Sequence, residues 1–166
     1  MGLWDESCCF SGHRPEKLPW GYREEDPRCA ALKRRLYGVT EAAVEAGFTH
    51  FLCGMAEGCD QYFCEAVLAL KERYPHLTLE AALPCPEQAK RWSAASRARY
   101  QALLARCDLE TVVQDHYGPG CMQRRNRYMV DHAAMLIAAH NGSPGGTRYT
   151  IEYALRRGVS VVDVPI

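Results

Sequence analysis

No excess charge of either sign marks this chain: 20 Lys and Arg are balanced by 20 Asp and Glu. A neutral total supplies no long-range field to gather polyanions or an acidic bilayer. Nucleic acid is therefore disfavoured as a partner, and membrane association is not expected. No apolar run approaches the length of a membrane span, and no secretory leader is recognisable. The nine cysteines contain no C-x-x-C pair, and their number is odd. This usage points to reduced thiols and a cytoplasmic location. His116 and Cys121 make no recognisable zinc ligand set, so neither a metal nor a cofactor is expected. Internal repeats, linkers and low-complexity stretches are absent too. The 166 residues read as a single domain over 1–166, large enough to bury a core without disulfides or metal. Homo-oligomerisation is left open.

What is present alternates. Short apolar runs at Cys8–Ser11, Thr49–Cys53, Leu77–Leu83, Leu109–Val113, Ala134–Ala139 and Val159–Val164 read as strands. Helical spacing runs over Cys29–Ala46, Asp60–Arg73, Glu87–Arg106, Met122–His132 and Arg148–Arg157. Gly47 and Gly158 are helix stops, and Glu16–Arg28 reads as a long loop. Strands alternating with helices predict an α/β fold: a three-layer Rossmann-like sandwich whose mostly parallel sheet has about six strands.

In such a sheet, ligands bind beyond the carboxyl ends of the strands. The distinctive loops of this chain fall at that edge. Gly12-His13-Arg14-Pro15 follows the first strand, Gly54-Met55-Ala56-Glu57-Gly58-Cys59-Asp60 the second, and Gly142 to Thr147 the fifth. Gly145, Gly146 and Thr147 sit where a strand passes through a glycine turn into a helix, which aims unpaired amides at an anion. Arg14 reads as a bidentate phosphate clamp or as half of a surface ion pair, with its backbone held extended by Pro15. His13 reads as a ribose or phosphate ligand or as a strand cap. Asp60 reads as an acceptor for ribose hydroxyls or as the N-cap of the second helix. Arg125 and Asn126 stand at the start of the helix facing the fifth strand. Trp20, Trp92 and Tyr100 read as base-stacking surfaces or as core.

The run from Cys8 to Gly21, with Gly54 to Asp60, Gln88 to Trp92, Arg125 to Asp131 and Gly145-Gly146-Thr147, resembles the YpsA-like family. That family belongs to the SLOG superfamily of Rossmann-like proteins, and the likeness covers nearly the whole chain. The resemblance implies a site for a nucleotide-derived, ADP-ribose-like ligand in a sensor or regulator. It would be lined by Gly12, His13, Arg14, Gly54, Met55, Ala56, Gly58, Asp60, Asn126, Gly145, Gly146 and Thr147.

A more distant similarity, to the LOG phosphoribohydrolases, implies an enzymatic alternative. There an Arg lies four residues before a Met, and a Glu follows a glycine turn. Arg125 before Met129, and Glu152 six residues after Gly146, match that spacing and would form an N-glycosidase pair. Arg148 and Tyr149 stand where that motif has a Gly and a Thr. A protein-interaction module without a small ligand is the remaining alternative. SLOG domains also resemble parts of DNA-uptake proteins.

Overall fold

A computed structural model describes residues 3–166. Residues 1 and 2 of the expected domain lie outside the described residues. The strands are β1 (Ser7–Gly12), β2 (His50–Cys53), β3 (Thr78–Leu83), β4 (Leu109–Val112), β5 (Met135–His140) and β6 (Ser160–Pro165). The helices are α1 (Pro27–Glu45), α2 (Cys59–Arg73), α3 (Ala94–Leu104), α4 (Cys121–Asp131) and α5 (Gly146–Arg156).

All six strands run parallel in the order β4-β3-β2-β1-β5-β6. β1 is central, and its Cys9 stands opposite Leu52 of β2 and Leu136 of β5. Successive strand residues point to opposite faces. Cys8, Phe10, Phe51, Cys53, Ile137 and Ala139 accordingly pack in the core under α1, α2 and α3. Cys9, Leu52, Leu136 and Ala138 pack against Met129 and Val130 of α4 and Ala154 of α5. The three-layer expectation holds, and the sheet is wholly parallel.

Local chemistry moves two predicted boundaries. Pro27 occupies the first position of α1, where its missing N–H costs nothing. The Asp26 carboxylate accepts from the Arg28 N–H at 2.8 Å, so α1 starts two residues earlier than periodicity suggests. The predicted helix from Glu87 to Arg106 is shorter than expected. Pro86–Arg91 forms successive turns, and the Ser93 hydroxyl caps α3 by accepting from the Ser96 N–H at 3.1 Å. Gln88 is held away from any helix by donating to the Gly54 carbonyl at 3.2 Å, a tertiary contact that overrides local spacing. Trp92 thus precedes α3, edge-to-face with Tyr100 at 5.3 Å.

Candidate functional site

Chain growth reverses direction at β1. The units β1-α1-β2, β2-α2-β3 and β3-α3-β4 extend the sheet one way, whereas β5 and β6 lie on the other side. Loops diverge at such a switch point and leave a crevice. Here it is a cavity of about 520 Å³, within the range of small-molecule sites. Gly12, His13 and Arg14 line it from the end of β1, and Ala56 and Asp60 from the loop and helix after β2. Arg125 and Asn126 enter from α4, and Gly146 and Thr147 from the start of α5. Of the anticipated residues, Gly54, Met55, Gly58 and Gly145 support this crevice without lining it, and Glu152 stands outside it.

At the α5 end, Gly145 caps the helix with φ 146° and Gly146 is its first residue. The amides of this first turn lack partners within the helix and point outward. Thr147 is buried, and Thr150 Oγ1 donates back to the Gly146 carbonyl at 2.9 Å, fixing the turn. Lys17 lies over this turn. Its Nζ donates to Ser143 Oγ at 3.1 Å and to the Pro144 carbonyl, and it lines the cavity. A Cβ at Gly145 would lie 2.6 Å from that ammonium. A helix N-terminus and a lysine therefore converge on one spot, the arrangement that holds a phosphate.

At the opposite side, Gly58, with φ 86°, caps α2 and packs against the chain after β1: a Cβ there would lie 2.8 Å from the His13 carbonyl. Asp60 is consequently not the N-cap. It is buried in the first turn of α2, where its Oδ2 accepts from the Ala56 N–H at 3.0 Å. Burial raises its carboxyl pKa, opposed by Arg125, the Ala56 amide and Arg14. Among the described residues no side chain donates to it, which leaves acceptor capacity at the cavity wall. Met55, fully buried, holds the left-handed conformation at φ 62°, uncommon for a residue with a side chain. Strain of this kind clusters at functional loops.

His13 is buried, with Nε2 2.9 Å from Asn141 Oδ1 and 3.1 Å from Asn141 N. Burial lowers its pKa and favours the neutral ring. Arg14 is exposed, extended at φ −79° and ψ 166°, and makes no ion pair among the described residues.

Arg125 is in the middle of α4, not at its start, and is buried. Its Nη1 donates to the Gly54 carbonyl at 2.5 Å and to the Ala82 carbonyl at 3.2 Å, and its Nε donates to Asn126 Oδ1 at 2.9 Å. It ties α4 to the ends of β2 and β3. A Cβ at Gly54 would lie 2.5 Å from this guanidinium, so the close approach requires glycine. Glu152 pairs instead with Arg148 on the exposed side of α5, Nε to Oε1 3.2 Å. The structure does not bring Arg125 and Glu152 together. Trp20 and Tyr100 are core, and the Trp20 Nε1 donates to the Tyr62 hydroxyl at 3.2 Å.

Sequence reasoning missed Lys17, Ser11 and the Tyr117–Gln123 wall of the crevice. Gly118-Pro119-Gly120 is a loop signal for that wall. Nothing local marks Lys17, whose partners are more than a hundred residues away.

A family model described as the YspA SLOG family matches residues 8–159. The chain is 33% identical to YoqJ, an uncharacterized SPbeta prophage-derived protein of Bacillus subtilis, over 78% of this chain and 84% of that one. It is 23% identical to the UPF0398 protein YpsA of the same organism, over 89% of this chain and 83% of that one. Among solved structures, DNA processing protein A of Streptococcus pneumoniae superposes with TM-score 0.62 at 18% identity. The match covers 99% of this chain but 52% of that protein, so this chain spans about half its length. The Helicobacter pylori protein of the same name superposes with TM-score 0.65 at 14% identity, over 99% of this chain and 67% of that one. That structure is described by its single-stranded DNA binding mode.

This last comparison corrects one expectation. Neutral total charge disfavoured nucleic acid, yet the Helicobacter protein, part of which shares this fold, is described by its binding of single-stranded DNA. The reason is that net charge averages over the whole surface, whereas binding depends on local charge. Here Arg14, Lys17 and Arg125 line one crevice together with Glu16 and Asp60.

Proposed function

Since the chain belongs to the YspA SLOG family, we propose that its crevice binds a phosphorylated nucleoside as a recognition module, a sensor or regulator. The free nucleotide or an ADP-ribose-like derivative is the leading ligand. One observation carries this reading: the α5 N-terminus under Lys17 and the buried acceptor Asp60 share one cavity. A phosphate suits the first and ribose hydroxyls suit the second. Asn126, His13 and Arg14 would complete the polar lining. Placement of Glu152 outside the lining favours binding over glycosidic cleavage. Nine free thiols support a reducing, cytoplasmic setting.

A second reading is a segment of single-stranded DNA, favoured by the binding mode named for the Helicobacter fold neighbour. It offers the same phosphate but lacks the 2′-hydroxyl. Calorimetry with AMP, dAMP, ADP-ribose and a short deoxyoligonucleotide tests both, each against wild type and Gly146→Asp. Space around Gly146 is open, so the added carboxylate disturbs the anion seat rather than packing. AMP held more tightly than dAMP supports the ribonucleotide. Tight, strongly salt-dependent binding of the oligonucleotide supports the strand. If no ligand binds wild type more tightly than Gly146→Asp, the crevice is not a phosphate site.

A further inference from the structure

Beside the crevice lies a second hollow of about 610 Å³, walled by Tyr22, Glu57, Arg91 and Trp92. Arg14 and Glu16 line both hollows, so the two meet at these residues. Tyr22 is 61% exposed, yet its hydroxyl is anchored by donating to Glu57 Oε1 at 3.0 Å. Trp92 is steadied from behind by Tyr100, and its carbonyl accepts from Arg97 Nη1 at 2.6 Å. Two aromatic side chains held this way lose little rotamer freedom when a flat ring packs on them.

The charges narrow the occupant. Two guanidiniums, Arg14 and Arg91, are balanced by two carboxylates, Glu16 and Glu57. Such a hollow has no surplus attraction for a second phosphate. It suits a neutral aromatic heterocycle whose exocyclic amines donate to a carboxylate. The phosphate preference remains in the crevice, with its α5 N-terminus and Lys17.

Resting on the nucleotide reading of the crevice, we propose that the second hollow is a nucleobase subsite and that the ligand is a dinucleotide. One nucleoside occupies the crevice, the bridging phosphate lies at Arg14, and the second base packs against Tyr22 and Trp92. No bond is made or broken. Arg14 is then the saddle of the site, not its margin.

The test compares two ligands that differ only by the second base: ADP-ribose and adenosine(5′)diphospho(5′)adenosine. Wild type is expected to bind the two-base ligand about tenfold more tightly, within the range of base–aromatic stacking. In Trp92→Ala and in Tyr22→Ala that ratio falls toward one. Tyr22 is exposed enough for its variant to fold even if Trp92→Ala does not. Equal affinity of wild type for both ligands overturns the subsite and leaves the crevice reading intact, as does a ratio unchanged in Tyr22→Ala. Binding of neither ligand by wild type overturns both.

Discussion

The ammonium of Lys17 lies 3.1 Å from the hydroxyl of Ser143, across a chain separation of 126 residues. That contact ties the turn after β1 to the turn after β5 and sets a positive charge over the glycines of α5. Lys17→Ala is expected to weaken nucleotide binding by about ten- to a hundredfold, the scale of a hydrogen bond to a charged group. Lys17 is exposed, so its melting temperature should stay near wild type. Calorimetry beside thermal unfolding checks both. Unchanged affinity would remove Lys17 from the phosphate seat.

Arg14 is expected to lose on the order of 1–3 kcal/mol of affinity as Arg14→Ala, with only partial recovery in Arg14→Lys. A guanidinium can hold a phosphate through two parallel N–H bonds, and an ammonium cannot. Equal affinities of wild type and both variants, at equal melting temperatures, would place Arg14 outside the site.

Gly54 and Gly146 should respond oppositely to the same change. Gly54→Ala pushes a methyl group to 2.5 Å from the buried Arg125 guanidinium and should cost about 1–3 kcal/mol in urea unfolding. Gly146→Ala meets nothing within 4 Å and should leave stability near wild type. A Gly54→Ala protein as stable as wild type would show that Arg125 can move aside.

The Glu80 carboxylate accepts from His50 Nε2 at 2.8 Å, Thr111 Oγ1 at 2.9 Å and the Tyr128 hydroxyl at 2.6 Å. Burial opposes ionisation, but these donors outweigh it and hold the carboxyl below its ordinary pKa. The folded state therefore releases this proton more readily than the unfolded chain. The resulting stability is complete above the unfolded-state pKa and is lost as pH falls through the folded one. Glu80→Gln should flatten the acid limb of the stability profile. Tyr128→Phe should lower the plateau by about 1–3 kcal/mol, as a donor to a buried charged group is lost.

Asp60 has the opposite sign, because burial raises its carboxyl pKa. A ribose hydroxyl bonds best to the carboxylate. Affinity for AMP should accordingly fall with acidification at a pH above the ordinary pKa of an aspartate carboxyl. Asp60→Asn should bind more weakly at neutral pH and show no such dependence. An Asp60→Asn protein that keeps the same pH profile would assign the titration to another group.

Elements and layers were legible in the sequence because apolar runs and glycine stops are local. The loops at the carboxyl edge were legible for the same reason. Strand order was not, since nothing local places β5 beside β1 rather than beside β4. The buried role of Arg125 was hidden too: an arginine in a polar helix looks solvated until the Gly54 and Ala82 carbonyls come within 3.2 Å. Asp60 fits an N-cap by spacing, but Gly58, with its positive φ, takes that place. The Glu87 segment showed helical spacing, and only the Gln88 contact to Gly54 explains why it turns instead.

β1, first of the six strands to leave a ribosome, lies at the middle of the sheet, and the α5 turn it needs arrives almost last. A nascent chain exposes Arg14, Lys17 and Asp60 long before Gly145 and Gly146 exist to face them. His13 waits 128 residues for Asn141. If the crevice binds a nucleotide as proposed, capture is withheld until translation has delivered β5 and α5, and the ligand stabilises only a chain that already has both. In a cell, its concentration would tune the survival of completed molecules against proteolysis while giving no shelter to those still being made.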